Sequence, residues 1–142
     1  MAKVNSYLNF DGTAEEAFLF YRSVLGGDFA GGIMKMGSAP GAENLSDEMK
    51  NRVLHVSLPI GDNLLMGSDI VPEMGQKLQT GNSNYISLHT DSRADADRIF
   101  TALAEGGEVE MPMEDQFWGD YFGSLQDKFG IFWMINFNEA YT

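Results

Sequence analysis

The chain has no cysteine, only 2 histidines and 4 prolines, and just 9 basic residues against 21 acidic ones. Without cysteine there is no disulfide, no thiolate metal site and no cysteine nucleophile, which suits a reducing compartment such as the cytoplasm. A formal net charge of −12 repels a nucleic-acid phosphate backbone, so nucleic acid is not expected as a partner. No apolar run approaches the ~18 residues of a membrane span, and Met1-Ala2-Lys3-Val4-Asn5-Ser6 lacks the layout of a secretory signal, so no membrane association is expected either.

What is abundant is soft and flat. Nine methionines accompany 10 Phe, 5 Tyr and 2 Trp in 142 residues. Thioethers adapt to irregular shapes and aromatic rings make flat apolar walls, so the composition suits a greasy pocket as well as an ordinary core. The length is that of one compact domain.

Lys3 to Phe10 reads as a strand, and Ala14 to Leu25 as a helix on the spacing of Ala17, Phe18, Phe20, Tyr21, Val24 and Leu25. Thr13 with Glu16 suggests a capping box at its start, and Gly26-Gly27 stops it. Asp28 to Met36, Val53 to Ile60 and Leu64 to Gly67 follow as strands. Gly37 to Asn51 is expected to be a long irregular connection, serving as a lid or partner contact or simply disordered.

After a linker around residues 71–82, the same order returns. Asn84 to Thr90 reads as a strand and Ser92 to Glu105 as a helix with the stripe Ala96, Ile99, Phe100 and Leu103. Glu108 to Met113, Tyr121 to Gln126 and Ile131 to Phe137 complete the set. Gly26-Gly27-Asp28 and Gly106-Gly107-Glu108 each lie just past their helix, which marks an internal duplication and sets Tyr7 against Tyr85. One helix per four strands cannot build a doubly wound parallel sheet. The expected fold is therefore α+β: one domain of two β-α-β-β-β modules, residues 1–70 and 83–142, forming curved sheets around a cleft.

Strand parity sorts residues between helix side and cleft side. Leu54, Val56, Leu58 and Ile60 are expected beneath the first helix, which turns Val53, His55 and Ser57 to the cleft. Ile86 and Leu88 play the same part in the second module and turn Tyr85, Ser87 and His89 inward. His55 is the first candidate for acid/base chemistry, because an imidazole titrates near neutrality, and His89 the second. Tyr7 and Tyr85 are candidate donors to a ligand oxygen. Met34, Met66, Met134, Trp118 and Trp133 are candidate walls, and Asp120 is an acid held beside Trp118 at a flexible glycine.

Trp118-Gly119-Asp120-Tyr121-Phe122-Gly123, followed by Asp127-Lys128-Phe129-Gly130-Ile131-Phe132-Trp133-Met134-Ile135, resembles the WGDRYG…DPFGxxWxI signature of PhnB-like proteins in the vicinal-oxygen-chelate (glyoxalase/bleomycin-resistance) superfamily. Tyr7-Leu8-Asn9-Phe10-Asp11-Gly12 and Leu65-Met66-Gly67-Ser68-Asp69 agree with it in the first half. Tyr121 stands where the signature has Arg, and Lys128 where it has Pro.

The resemblance implies a glyoxalase-like cleft and a homodimer. It also implies a metal question, since metal-dependent relatives place four His, Gln or Glu side chains on inner strands. Those positions fall on or near Asn5, Met66, Tyr85 and Met134, none a usual ligand for a hard or borderline divalent ion. His55 and His89 form the remaining route to a metal, without any HxH, HxxxH or HExxH spacing. No cofactor is expected.

PhnB-like sequences also carry the description of demethylubiquinone methyltransferases, but no GxGxxG or GxxxxGK[ST] stretch occurs. A Ser-His-Asp hydrolase lacks its GxSxG elbow. The sequence thus points to a metal-independent protein that binds a small, partly apolar or planar molecule. The alternative is an enzyme of the same superfamily acting on a small oxygenated substrate through His55.

Overall fold

The computed structural model describes residues 1–141 as two compact units that meet in sequence at Gln79/Thr80. The first contains β1 (Ser6–Phe10), α1 (Ala14–Leu25), β2 (Met34–Lys35), α2 (Asp47–Asn51), β3 (Val53–Ile60) and β4 (Asn63–Asp69). The second contains β5 (Ile86–His89), α3 (Arg93–Ala104), β6 (Glu108–Asp115), β7 (Tyr121–Gln126) and β8 (Phe132–Phe137). The sheets are ordered β1-β4-β3-β2 and β5-β8-β7-β6, and in each the first strand runs parallel to the last while the other pairs are antiparallel. The α+β duplication is therefore present in strand order and direction alike.

Register corrects the repeat alignment. Tyr7 pairs with Met66 and Met66 with Ser57, whereas Ser87 pairs with Met134 and Met134 with Ser124. Tyr7 thus corresponds to Ser87, and Tyr85, two residues earlier, corresponds to Asn5.

Each helix covers one face of its own sheet. Ala14, Ala17, Phe18, Tyr21 and Val24 of α1 are buried, as are Phe10, Leu65, Val56 and Leu58 of the strands. In the second unit Ala96, Ile99, Phe100 and Leu103 of α3 are buried, with Leu125, Trp133 and Ile135 among the strand residues. Each helix brings a phenylalanine ring down onto a strand glycine. A Cβ on Gly67 would stand 2.6 Å from Phe18, and one on Gly123 would stand 2.8 Å from Phe100. Gly67 pairs with Val56 and Gly123 with Ile135, so the same cross-strand pair carries its small member on opposite strands in the two units.

Several boundaries depart from expectation. β2 has two residues instead of nine, because Gly31 and Gly32 adopt φ of +77° and +73°, which strand geometry does not tolerate. The 37–51 segment is structured rather than irregular: two 3₁₀ turns lead into α2, and Met36, Ala42 and Met49 are buried. Ser46 starts α2 by accepting the Met49 N–H at 3.2 Å.

The Thr13–Glu16 capping box does not form. Instead the Asp69 carboxylate, at the end of β4, accepts the N–H groups of Gly12 (2.8 Å) and Ala14 (3.0 Å) through Oδ1 and that of Val53 (2.8 Å) through Oδ2. A partner distant in sequence satisfies the helix start, so the local motif is redundant. By contrast α3 is capped locally, Ser92 Oγ accepting the Asp95 N–H at 3.0 Å.

Parity also breaks in β3. Met34 pairs with His55 but Lys35 with Val53, leaving Leu54 as the extra residue of a β-bulge. Val53, expected towards the cleft, is fully buried in the core, and Leu54, expected beneath the helix, is 39% exposed.

Candidate functional site: the helix-free sheet faces

The sheet face opposite α1 carries a cross-strand row of Tyr7, Met66 and Ser57, with Met34 and His55 paired beside it. The Tyr7 and His55 rings lie 5.9 Å apart, which confirms that the imidazole shares the face with the phenol. The Tyr7 hydroxyl donates to Ser68 Oγ at 3.1 Å. Ser57 is buried, and its Oγ has no hydrogen-bond partner. A hydroxyl withdrawn from water without a partner costs free energy, so Ser57 is an open polar position on an otherwise soft surface.

The face opposite α3 has the matching row of Ser87, Met134 and Ser124. Ser124 is buried like Ser57, and Met134 is half-buried like Met66. Ser87 Oγ lies 3.3 Å from His89 Nε2. Tyr85 packs against Phe132 with ring centroids 5.4 Å apart and donates to Glu110 Oε1 at 2.8 Å. That bond, with burial and the Glu110 charge adding to it, raises the phenol above its ordinary pKa.

At the end of this face a tight turn joins β6 to β7. Gly119 takes φ +105°, the Gln116 N–H donates to the Asp120 carbonyl, and the Asp120 side chain collects three donors. Asn138 Nδ2 (2.8 Å) and Asn136 Nδ2 (3.4 Å) reach Oδ1, and Trp118 Nε1 (2.7 Å) reaches Oδ2. The Asn138 and Trp118 bonds hold the carboxyl below its usual range, with Asn136 and the nearby His89 acting in the same direction. Trp118 remains 56% exposed.

One expectation fails here. Trp133 is not a wall of this face: it is wholly buried on the helix side, where its Nε1 donates to Asp127 Oδ2 at 2.9 Å. Its position beside Leu125 and Ile86 on the α3 side follows from its register. Tyr121 likewise turns to the helix, stacking 3.9 Å from the Arg93 guanidinium and donating to Asp97.

Within the first unit, Tyr7, His55, Ser57 and Met66 come together, and within the second, Tyr85, Ser87, His89 and Met134, with Trp118 and Asp120 at the end. Sequence reasoning missed Ser124, Asn136 and Asn138. The first two are legible only once Met134 and His89 are known to face them across the ladder. A surface pocket of about 240 Å³ elsewhere, lined by Gly12, Glu48, Asn51 and Arg52, includes none of the expected residues.

The four positions at which the resemblance implies metal ligands do not fit a metal. The Asn5 side-chain Oδ1 already accepts the Leu64 N–H at 2.8 Å, and the Tyr85 hydroxyl is committed to Glu110. Met66 and Met134 offer soft thioethers, poor partners for hard or borderline divalent ions. Among the described residues no group of three or more His, Cys, Asp or Glu gathers where it could hold an ion.

The fold is that of the glyoxalase/bleomycin-resistance class. A glyoxalase/bleomycin resistance protein/dioxygenase family enzyme from Burkholderia phytofirmans superposes with a TM-score of 0.59 at 16% identity over 95% of this chain and 99% of that one, a likeness of fold alone. Protein PA1353 from Pseudomonas aeruginosa superposes with a TM-score of 0.86 at 37% identity over 97% of this chain and 98% of its own. Protein YjdN of Escherichia coli K12 is 31% identical over 144 residues, covering 94% of this chain and 93% of YjdN. Residues 2–136 match the family described as 3-demethylubiquinone-9 3-methyltransferase, and the chain belongs to that family. No helix among the described residues is long and apolar enough to cross a membrane.

Proposed function

We propose that the protein binds a small, partly apolar or planar molecule against the helix-free faces of its sheets, without a metal, as a cytoplasmic homodimer. The observation that carries this reading is the repeated row: in each unit a methionine lies beside a buried serine, Met66 with Ser57 and Met134 with Ser124. Thioethers accommodate a flat apolar surface, and the unpartnered Ser57 hydroxyl leaves a polar group for the ligand to satisfy.

A thermal-shift and calorimetric screen of planar compounds on chelator-treated protein tests the reading. Binding that survives metal removal, and that Met66→Glu or Met134→Glu abolishes while the fold persists, is the expected result. Stoichiometric zinc, nickel, manganese or iron whose removal ends binding would overturn it, as would a protein that binds nothing in a broad screen.

A second reading, a superfamily enzyme acting on a small oxygenated substrate, draws on His55, half-buried and 5.9 Å from the Tyr7 ring. An imidazole beside a phenol can accept a proton from a substrate and return it. Turnover of a candidate substrate that is lost in His55→Ala while affinity is kept supports this reading. Unchanged turnover removes His55 from it.

A further inference from the structure

We infer that the β6–β7 turn of the second unit, residues 116–120, seats the positively charged end of the ligand, so that the class of molecule bound is an organic cation with a flat body. The inference rests on the binding reading above and names its ligand chemistry.

Asp120 presents a carboxylate whose three hydrogen-bond donors, Asn138, Trp118 and Asn136, are all neutral. They fix its orientation and keep it ionised without neutralising it. Phe117 is 98% exposed and Trp118 56%, and their rings stand perpendicular with centroids 5.0 Å apart, forming an open aromatic corner. The indole N–H bond to Asp120 places that corner directly beside the anionic charge.

Large rings left in water on a tight turn call for a reason, and a cation against their faces next to a carboxylate gains both a charge pair and a cation–π contact. A second acceptor is also short of a donor. Asn136 is 95% buried, its amide nitrogen leans on Asp120, and its Oδ1 has no partner. The neighbouring strand sets His89 in register with it.

Competing occupants fit less well. A hard metal ion needs about six or more oxygen ligands, and this turn offers one carboxylate that already accepts three bonds. An anion meets Asp120 head-on. A protein partner needs an interface of roughly 800 Å² per side, far more than two rings on one turn provide.

The test compares N-methylquinolinium with its neutral isostere 1-methylnaphthalene by calorimetry on the full chain. Wild type is expected to favour the cation, by about tenfold. Asp120→Asn, which keeps the shape and the acceptor for Trp118, should reduce that preference severalfold, leaving only the share owed to the ring faces, and leave the neutral compound unchanged. Trp118→Phe should retain most cation affinity, because the flat face remains, and Trp118→Leu should lose it. Equal affinity for both compounds, or a preference for the cation that Asp120→Asn leaves undiminished, overturns the inference while leaving the binding reading intact. If neither compound binds but other planar neutral molecules do, the cation site fails alone. If no planar molecule binds at all, the binding reading fails with it.

Discussion

The two units share strand order, strand direction and a methionine–serine row, yet each is locked by a different buried acid. In the first, Asp69 ends β4 and ties together the loop before α1, the start of that helix and the start of β3. In the second, the corresponding position on β8 is Phe137, and the buried acid is Asp127 in the β7–β8 turn. It accepts the N–H groups of Phe129 (2.8 Å) and Ile131 (3.0 Å) and the indole N–H of Trp133. Topology is thus the duplicated quantity, and the polar group that pins it has been chosen separately in each copy. One acid joins helix to sheet, the other closes a hairpin.

Replacing these acids separates the two roles most sharply. Asp69→Ala strands three backbone N–H groups and should cost roughly 3–5 kcal/mol, read by denaturant unfolding, with amide exchange accelerating first at α1 and the start of β3. Asp127→Ala should cost a comparable amount, with exchange accelerating in the β7–β8 hairpin instead. Identical exchange patterns in the two variants would mean that the acids do not act locally.

The glycine seats come next. Gly67→Ala drives a methyl group to within 2.6 Å of Phe18 and 2.9 Å of the Leu8 carbonyl oxygen, and a loss of about 1–3 kcal/mol is expected. Phe18→Leu should recover part of that loss but nothing of the loss from Gly123→Ala, which Phe100→Leu should recover in turn. Cross-rescue in thermal melts would break the proposed correspondence between ring and seat.

Smaller still is the difference between the helix starts. Ser92→Ala should destabilise by about 1 kcal/mol, while Thr13→Ala, whose hydroxyl caps nothing, should change the melting temperature hardly at all. An equal cost at both sites would show that Thr13 does cap α1.

The least effect is expected at Asp120 and appears as a pH dependence. Its pKa is lowered in the folded protein, so its contribution to stability is complete above the ordinary carboxylate range and disappears as pH falls through the depressed folded value. Wild type and Asp120→Asn should therefore differ slightly near neutral pH and converge in strong acid. A gap that stays constant with pH would show that the three donors do not favour the ionised form.

The helices, the duplicated order and the helix-free location of His55, Ser57, Ser87 and His89 were legible because they follow from periodicity alone. The identity of Val53 as a core residue was not: one bulge at Leu54 moves it across the sheet, and a bulge leaves no mark in alternation. Trp133 was misplaced for a related reason. An aromatic beside a turn looks like a wall until its register with Ile86 assigns it to the helix side. The cap on α1 was hidden because its donor and acceptor lie more than fifty residues apart, whereas the cap on α3 is local and needed no fold to be seen. Asn136 and Asn138 carry no motif and gain meaning only through Asp120.

The exchanged small and large partners of the Val56–Gly67 and Gly123–Ile135 pairs restrict how segments can be traded between the halves. Grafting β3 into the place of β7 would set valine against isoleucine beneath the Phe100 ring, an overfilled layer. Grafting β4 into the place of β8 would set glycine against glycine and leave a hollow. Neighbouring strands therefore have to be transplanted together, so the interchangeable part of this chain is the hairpin, never the single strand.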